Sequence, residues 1–358
     1  MPIRKTLLSA HRWISLVLAT FWLIQAATGV ILVFHWELND ATISAPHRPT
    51  DLDAIEARIA ALKASEPEWT TGSIWVSAGA PDRYDLYMDN SATGASKTVR
   101  IDGAGTVLRT HMDEDRIADG GIFDTLVVLH QTLLSGDTGS WIVGISGVFL
   151  FSNILMGLII AWPRRRAWRQ ALRPPAAGPR SARLYGWHRA LGLWMGIPAL
   201  LLVSAGIMLV FESGIERLVA ATPVEAAAQK PVAAAPLGFA SAARIALARY
   251  PGSTLSGISL PTDEDATWRF RLLQQHDVRR AFGTTTLFVS ANDGRVLADF
   301  DARAAAPGRM FADLLFPFHT GEIGGTPGRI FVMITGLWLA TMIILGVLLW
   351  FARRKRRG

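Results

Sequence analysis

Residues 11–34 read HRWISLVLATFWLIQAATGVILVF, and residues 188–211 read HRALGLWMGIPALLLVSAGIMLVF. In each, a His-Arg pair opens an apolar stretch without charge. Gly29 matches Gly206 and Phe34 matches Phe211 at a constant offset of 177. A second block recurs at an offset of 189: Asp124, His130, Gly136, Gly139, Gly147, Gly157 and Arg164 match Asp313, His319, Gly325, Gly328, Gly336, Gly346 and Arg353. The middle of the second copy is thus 12 residues longer, while both flanking blocks keep their internal spacing.

Four runs lack any charged residue: Ile14–Phe34 (21 residues), Trp141–Trp162 (22), Leu191–Phe211 (21) and Ile330–Phe351 (22). A hydrocarbon core of ~30 Å takes ~20 residues of helix, so each can span a bilayer. The first run is too long for a signal-peptide core and lacks a convincing cleavage site, so it reads as an uncleaved anchor. The segments before Ile14, from Pro163 to Arg189 and after Phe351 hold 16 Lys or Arg and no Asp or Glu. The remaining 20 basic residues share two long loops with all 29 acidic ones. This asymmetry predicts cytoplasmic termini and hinge, with both long loops outside.

The net charge of +7 does not point to nucleic acid. Arg164-Arg165-Arg166 and Arg353-Arg354-Lys355-Arg356-Arg357 abut helix ends, where stop-transfer and contact with anionic lipid account for them. The chain has no cysteine. That excludes thiolate-held iron–sulfur clusters, haem attached through Cys-x-x-Cys-His, and disulfides. A redox centre here would have to hang from histidine.

The expected architecture is an integral membrane, α-helical protein whose four transmembrane helices form two parallel tandem repeats, with two small α+β outer domains. Its segments are a first span (1–36), an outer domain (37–121), an outer interfacial segment (122–139), a second span (140–162) and an Arg/Pro-rich linker (163–186). A third span (187–211), a second outer domain (212–309), a second interfacial segment (310–328), a fourth span (329–352) and a basic tail (353–358) follow. Repeats of equal topology place their symmetry axis along the membrane normal, so matched residues sit at matched depth.

In the first outer domain, Leu52, Ile55, Ile59 and Leu62 have helical spacing, and alternating runs around Ile74–Val76, Tyr84–Met88 and Thr98–Leu108 read as strands. The second repeats this order: a helix over Phe239–Tyr250, then strands over Leu255–Leu260, Trp268–Leu273 and Thr285–Leu297. Ala221–Pro236 reads as a flexible lead-in. Ile122–Leu134 is amphipathic and suits the outer interface. Its counterpart is Phe311–His319, where Pro317 predicts a shortened helix.

Neutral imidazole ligates haem iron, and two histidines from facing helices hold a low-spin haem. An axis along the normal sets His11 opposite His188 on the inner side and His130 opposite His319 on the outer. Arg12 and Arg189 are candidates to pair with haem propionates, and Trp13, Trp22, Trp187 and Trp194 to pack the macrocycle. His35 ends the first span, with Glu212 as its match; it is a candidate to replace His130 or His319, or to stand beside the substrate. The plainer account is that His-Arg anchors a helix in headgroups. Four such histidines, paired at equal depth, favour ligation. The repeated glycines mark close helix approach or room for a flat macrocycle. His47, His111 and His276 have no matched partners and read as solvated loop residues.

The His-Arg-Trp and Trp187-His188-Arg189 openings, Thr28-Gly29-Val30, Ala205-Gly206-Ile207, Leu129-His130, Phe318-His319 and Trp162-Pro163-Arg164 resemble the PepSY-associated transmembrane family, also called iron-regulated membrane proteins. The resemblance covers nearly the whole chain. Ala242–Pro251, Leu260-Pro261, Trp268 and Val289–Leu297 resemble a PepSY domain. The resemblance implies an inner-membrane ferric-siderophore reductase carrying one or two bis-histidine haem b groups, acting on a periplasmic ferric siderophore or other ferric chelate. No Gly-x-Gly-x-x-Gly follows a strand, so the donor would be a quinol or a partner protein. Two rivals stand beside it: a non-catalytic module whose PepSY domains capture a peptide, peptidase or envelope partner, and a transporter, which the absence of charge inside the spans disfavours.

Overall fold

The structure, a computed structural model, describes residues 2–77, 80–112, 117, 121–232 and 236–354. The tail Lys355–Gly358 and part of the Ala/Pro-rich lead-in lie outside the described residues. The helices are α1 (Pro2–Leu32), α2 (His35–Asp40), α3 (Leu52–Ser65), α4 (Ile122–Thr132), α5 (Gly136–Ala161), α6 (Trp168–Ala171), α7 (Arg180–Val210), α8 (Glu212–Leu218), α9 (Phe239–Arg249), α10 (Pro307–Thr320) and α11 (Gly325–Arg354). The strands are β1 (Trp69–Val76), β2 (Arg83–Asn90), β3 (Ser96–Asp102), β4 (Val107–Met112), β5 (Thr254–Ser259), β6 (Thr267–Leu273), β7 (Thr285–Ser290) and β8 (Val296–Phe300). They form two compact units, one from the described parts of 1–33, 126–215 and 315–358, the other from 34–125 and 216–314.

In the first unit α1, α5, α7 and α11 are long and apolar enough to cross a membrane. The charge-free runs understate them. α1 and α7 begin nine and eight residues before His11 and His188, so both histidines sit inside helices and not at their starts. Backbone amides and carbonyls must be satisfied within the chain in lipid, which a continuous helix achieves. Hydroxyls follow the same rule: Ser15, Thr28, Thr335 and Thr341 donate to carbonyls one turn earlier. Glycines carry the crossings. Gly147 of α5 lies against Ile207 of α7, and Gly336 of α11 against Val30 of α1.

The turns into α5 and α11 are tight. Leu133 and Leu134 take positive φ (52° and 58°), which is costly for residues with a side chain. Any Cβ at Gly139 would collide with the Thr132 carbonyl, and one at Gly328 with the Gly321 carbonyl. The chain break therefore falls at 133–135, and Gly136–Gly139 already belong to α5. Pro317 does not shorten α10, which continues to Thr320. Proline lacks the amide that the Asp313 carbonyl would accept from, and Arg279 supplies the missing donor at 2.9 Å.

The second unit is one antiparallel sheet in the order β4-β3-β2-β1-β5-β6-β7-β8. The strands of the two expected α+β domains join edge to edge: β1 pairs with β5 through Ser73↔Ser259, Ile74↔Ile258 and Trp75↔Gly257, making the two sets of strands continuous. α3 and α9 cover one face, burying Ile55, Leu62, Phe239 and Ala243 against Ile74, Leu86, Ile258, Phe270 and Leu287. Asp51 caps α3 by accepting from the Asp53 and Ala54 amides. Glu56 of α3 accepts from the Ala240 amide of α9, and Arg244 pairs with Asp53. On the opposite face Asp85 takes Arg100 in a two-pronged pair, at 2.6 and 2.8 Å.

Candidate functional site

Four histidines in the helical unit share one local arrangement. Each ring rests on a glycine of another helix: His11 on Gly157, His130 on Gly29, His319 on Gly206 and His188 on Gly346. A Cβ at those glycines would stand 3.1, 3.1, 2.8 and 3.5 Å from the respective Cε1 atoms. The four contacts obey the offsets of 177 and 189 read in the sequence. The glycines thus seat imidazoles, a more specific role than close helix approach.

The residue four positions before each glycine completes the seat. His11 Nδ1 donates to the Asn153 carbonyl at 3.0 Å, and His319 Nδ1 to the Leu202 carbonyl at 3.1 Å. A carbonyl only accepts, so in both rings the proton is on Nδ1. His130 Nδ1 lies 2.9 Å from the Thr28 hydroxyl and also faces the Gln25 carbonyl. The Thr28 proton is turned to the carbonyls of Ile24 and Gln25, so here too Nδ1 is the donor. His188 is the loosest of the four. The Met342 carbonyl occupies the corresponding position, but Nδ1 does not reach hydrogen-bond geometry with it and has no partner.

Helix geometry explains why glycine stands at these places. A carbonyl at position i already accepts from the amide at i+4 and keeps a second lone pair. The Cβ of residue i+4 would cover that lone pair. Its absence lets a neighbouring imidazole reach the carbonyl. In consequence Nδ1 of His11, His130 and His319 is occupied, and Nε2 keeps its lone pair, the state a metal ligand requires.

The histidines are also paired. The His11 and His188 rings meet edge-on, with centroids 6.3 Å apart and planes at 64°. Two metal–nitrogen bonds of about 2.0–2.1 Å plus the two ring radii give about 6 Å, so the spacing fits one metal ion held between them. His130 and His319 are close enough to interact electrostatically. Among the described residues no group of three or more His, Asp or Glu side chains is placed to hold a bare metal ion. The donor sets are pairs, which suit a metal whose remaining ligands come with it.

The flanking candidates divide. Arg189 donates to the Ala161 carbonyl at 3.1 Å, capping α5, and Arg12 stacks over Trp13 at 5.3 Å. Trp22 is buried and donates to Ser146 at 3.1 Å. Trp13, Trp187 and Trp194 are exposed on the helical unit. Their amphipathic rings suit an outward-facing position in a membrane protein. His35 opens α2 in the other unit, its ring against Trp36. His47 and His111 pair with Asp40 and Asp124 in that unit.

Asn153, Gln25, Leu202 and Met342 escaped the sequence reading because they act through backbone carbonyls, which every residue has. The one available clue is the fixed place of each glycine relative to a matched histidine. Arg329, buried in the first turn of α11, was also missed; it donates to the Val33 carbonyl at the end of α1.

No curated protein matches this sequence. The family model of the PepSY-associated TM region matches residues 8–353, which takes in all four seated histidines and every strand of the sheet, and the chain belongs to that family.

Proposed function

We propose that this membrane protein is a haem-bearing oxidoreductase of a bacterial inner membrane that delivers electrons to a periplasmic ferric complex, foremost a ferric siderophore, so that ferrous iron is released. The observation that carries this reading is the repeated seat, which places each of four rings on a glycine, engages Nδ1 of His11, His130 and His319, and leaves Nε2 available, with the His11 and His188 rings side by side. In this reading the two halves are duplicated repeats, the termini are cytoplasmic, and the sheet unit is periplasmic. The segregation of acidic residues into the two long loops supports that orientation.

His11 and His188 would hold one haem b, and His130 and His319 a second. Haem, when bound, would supply a one-electron carrier. The chain's own part is orientation. The carbonyls of Asn153 and Leu202 fix tautomer and ring plane, and the apolar helices around them keep the dielectric low. Eighteen residues separate His11 from Gly29 along α1, as they do His188 from Gly206 along α7. At 1.5 Å per residue the two sites stand about 27 Å apart in height. Edge-to-edge separation is shorter, and Trp22 lies between the two levels of α1. The donor is a quinol or a partner protein.

The test is the spectrum of the purified chain, followed by reduction of ferric siderophore by membranes with the ferrous product trapped by a chromogenic chelator. A Soret band with a sharp reduced α-band, together with ferrous release that falls in His130→Ala and His319→Ala, is expected. Colourless protein after haem-replete expression would return the chain to a non-catalytic module in which the helices only anchor the sheet.

A further inference from the structure

A cavity of about 370 Å³ lies in the helical unit, with walls from α7, α10 and α11. Its lining includes Leu202, whose carbonyl takes the His319 proton, and Phe318, the neighbour of that histidine. Ile197, Leu201, Ile323 and Phe331 of the lining are exposed. On a unit whose helices are long and apolar enough to cross a membrane, the cavity therefore opens to lipid. Thr335 is the one lining residue with a polar side chain. It is buried, at 3% exposure, and its hydroxyl donates to the Phe331 carbonyl at 2.9 Å. The hydroxyl proton is thus committed, and only oxygen lone pairs are left for a ligand.

The matched halves explain why the space is there. At the offset of 189 Thr335 matches Ser146, whose hydroxyl accepts from the Trp22 indole at 3.1 Å. At the offset of 177 Trp22 matches Ala199 and Phe21 matches Pro198, which lines the cavity. The second half keeps the hydroxyl and loses both rings. A guest that restores the first-half arrangement needs a flat ring, an apolar body and a proton to give to Thr335. Ligand pockets of ~300–1,000 Å³ take molecules of this size. An acyl chain from lipid has neither the ring nor the proton.

We propose that this cavity binds the ring of a membrane quinol, placing the electron donor beside the His319 seat. The assignment rests on the oxidoreductase reading above and names its donor. A hydroxyl that can only accept favours the reduced form, because a quinol O–H donates to Thr335 Oγ1 whereas a quinone carbonyl finds no donor there. Fresh donor is then held in preference to spent product. Over the whole reaction one quinol becomes one quinone: its two O–H bonds break, its two electrons reduce two ferric ions to ferrous, and its two protons pass to water.

The experiment is equilibrium dialysis of decylubiquinol and decylubiquinone between the full chain in detergent and matching detergent without protein, under argon. The quinol is measured with excess dithionite, so everything is reduced, and the quinone with oxidised protein, so neither arm turns over. The wild type is expected to hold the quinol about 2- to 12-fold tighter, the range of one net hydrogen bond. Thr335→Val is expected to erase that preference and leave quinone affinity unchanged. Pro198→Phe, which returns the ring of the first half, is expected to weaken both forms at least ~10-fold by filling the space. A wild type that binds neither form, or both equally, would overturn the assignment, as would a preference that survives Thr335→Val or binding undiminished in Pro198→Phe. Displacement of the quinol by an equal concentration of decanol would overturn it too, giving the cavity to an acyl chain. Binding is read without a haem spectrum. A colourless protein that prefers the quinol sinks the haem reading alone, and a haem-loaded protein that binds no quinol sinks this one alone.

Discussion

His319 rests its Cε1 on Gly206 and gives its Nδ1 proton to the carbonyl of Leu202, one helical turn before that glycine. The same two contacts define the seat of His11 on α5. Closeness of fit then sets the cost of a methyl group. At Gly206 the new Cβ would stand 2.8 Å from the ring, at Gly29 and Gly157 3.1 Å, and at Gly346 3.5 Å, an ordinary contact. Gly206→Ala must push the imidazole off its carbonyl, whereas Gly346→Ala need move nothing. The expected order of haem retained per protein is therefore Gly346→Ala first, Gly29→Ala and Gly157→Ala next, and Gly206→Ala last. A Gly346→Ala protein as depleted as Gly206→Ala would show that the seats do not govern cofactor binding.

Pairing predicts non-additive losses. If His11 and His188 serve one centre, His11→Ala, His188→Ala and the double variant should each remove about the same share of the Soret absorbance. His130→Ala combined with His11→Ala should remove nearly all of it. Residues that act as a unit behave this way, while independent sites add. Pyridine haemochrome quantification of these four single and double proteins decides the matter, and additive losses within the His11–His188 pair would break the assignment.

How much of this was legible beforehand differs by element. The four spans follow from charge-free runs, and α3 and the strand order follow from periodicity, because those patterns are local. The single sheet was not legible. Ser73 to Trp75 and Gly257 to Ser259 pair across more than 180 residues of chain, and nothing within either segment announces its partner. The helix through Pro317 was misread because the donor that compensates it, Arg279, comes from a loop beside β6. The histidine pairs were suggested by offsets. Their seats were not, since a glycine four residues after an arbitrary carbonyl carries no composition of its own.

The sheet offers a test of its own. Asp85 and Arg100 are both buried, at 9% exposure, and bond through both prongs. Removing one partner leaves a buried charge alone, a loss of about 3–5 kcal/mol, whereas replacing both with apolar residues of similar volume is close to neutral. Asp85→Leu should thus lower the apparent melting temperature sharply, and Asp85→Leu with Arg100→Met should recover most of it. Measured by tryptophan fluorescence during heating, a double variant no better than the single would show that the pair is required for more than mutual compensation.

Arg329 supplies the last case, because it is a cation held inside a membrane unit at 4% exposure. Its Nε and Nη2 reach the Val33 carbonyl just past the end of α1, at 3.2 and 2.7 Å. A cation there opposes the negative end of the helix dipole and satisfies a carbonyl that lipid cannot. Hydrogen bonds to charged groups are worth about 1.5–3 kcal/mol, so Arg329→Leu should cost in that range, while Arg329→Lys keeps the charge but loses the fork and should fall between. Melting of the detergent-solubilised variants by size-exclusion chromatography gives the order directly. If Arg329→Leu melts with the wild type, the contact contributes nothing to holding α1 against α11, and the burial of this arginine must serve another purpose.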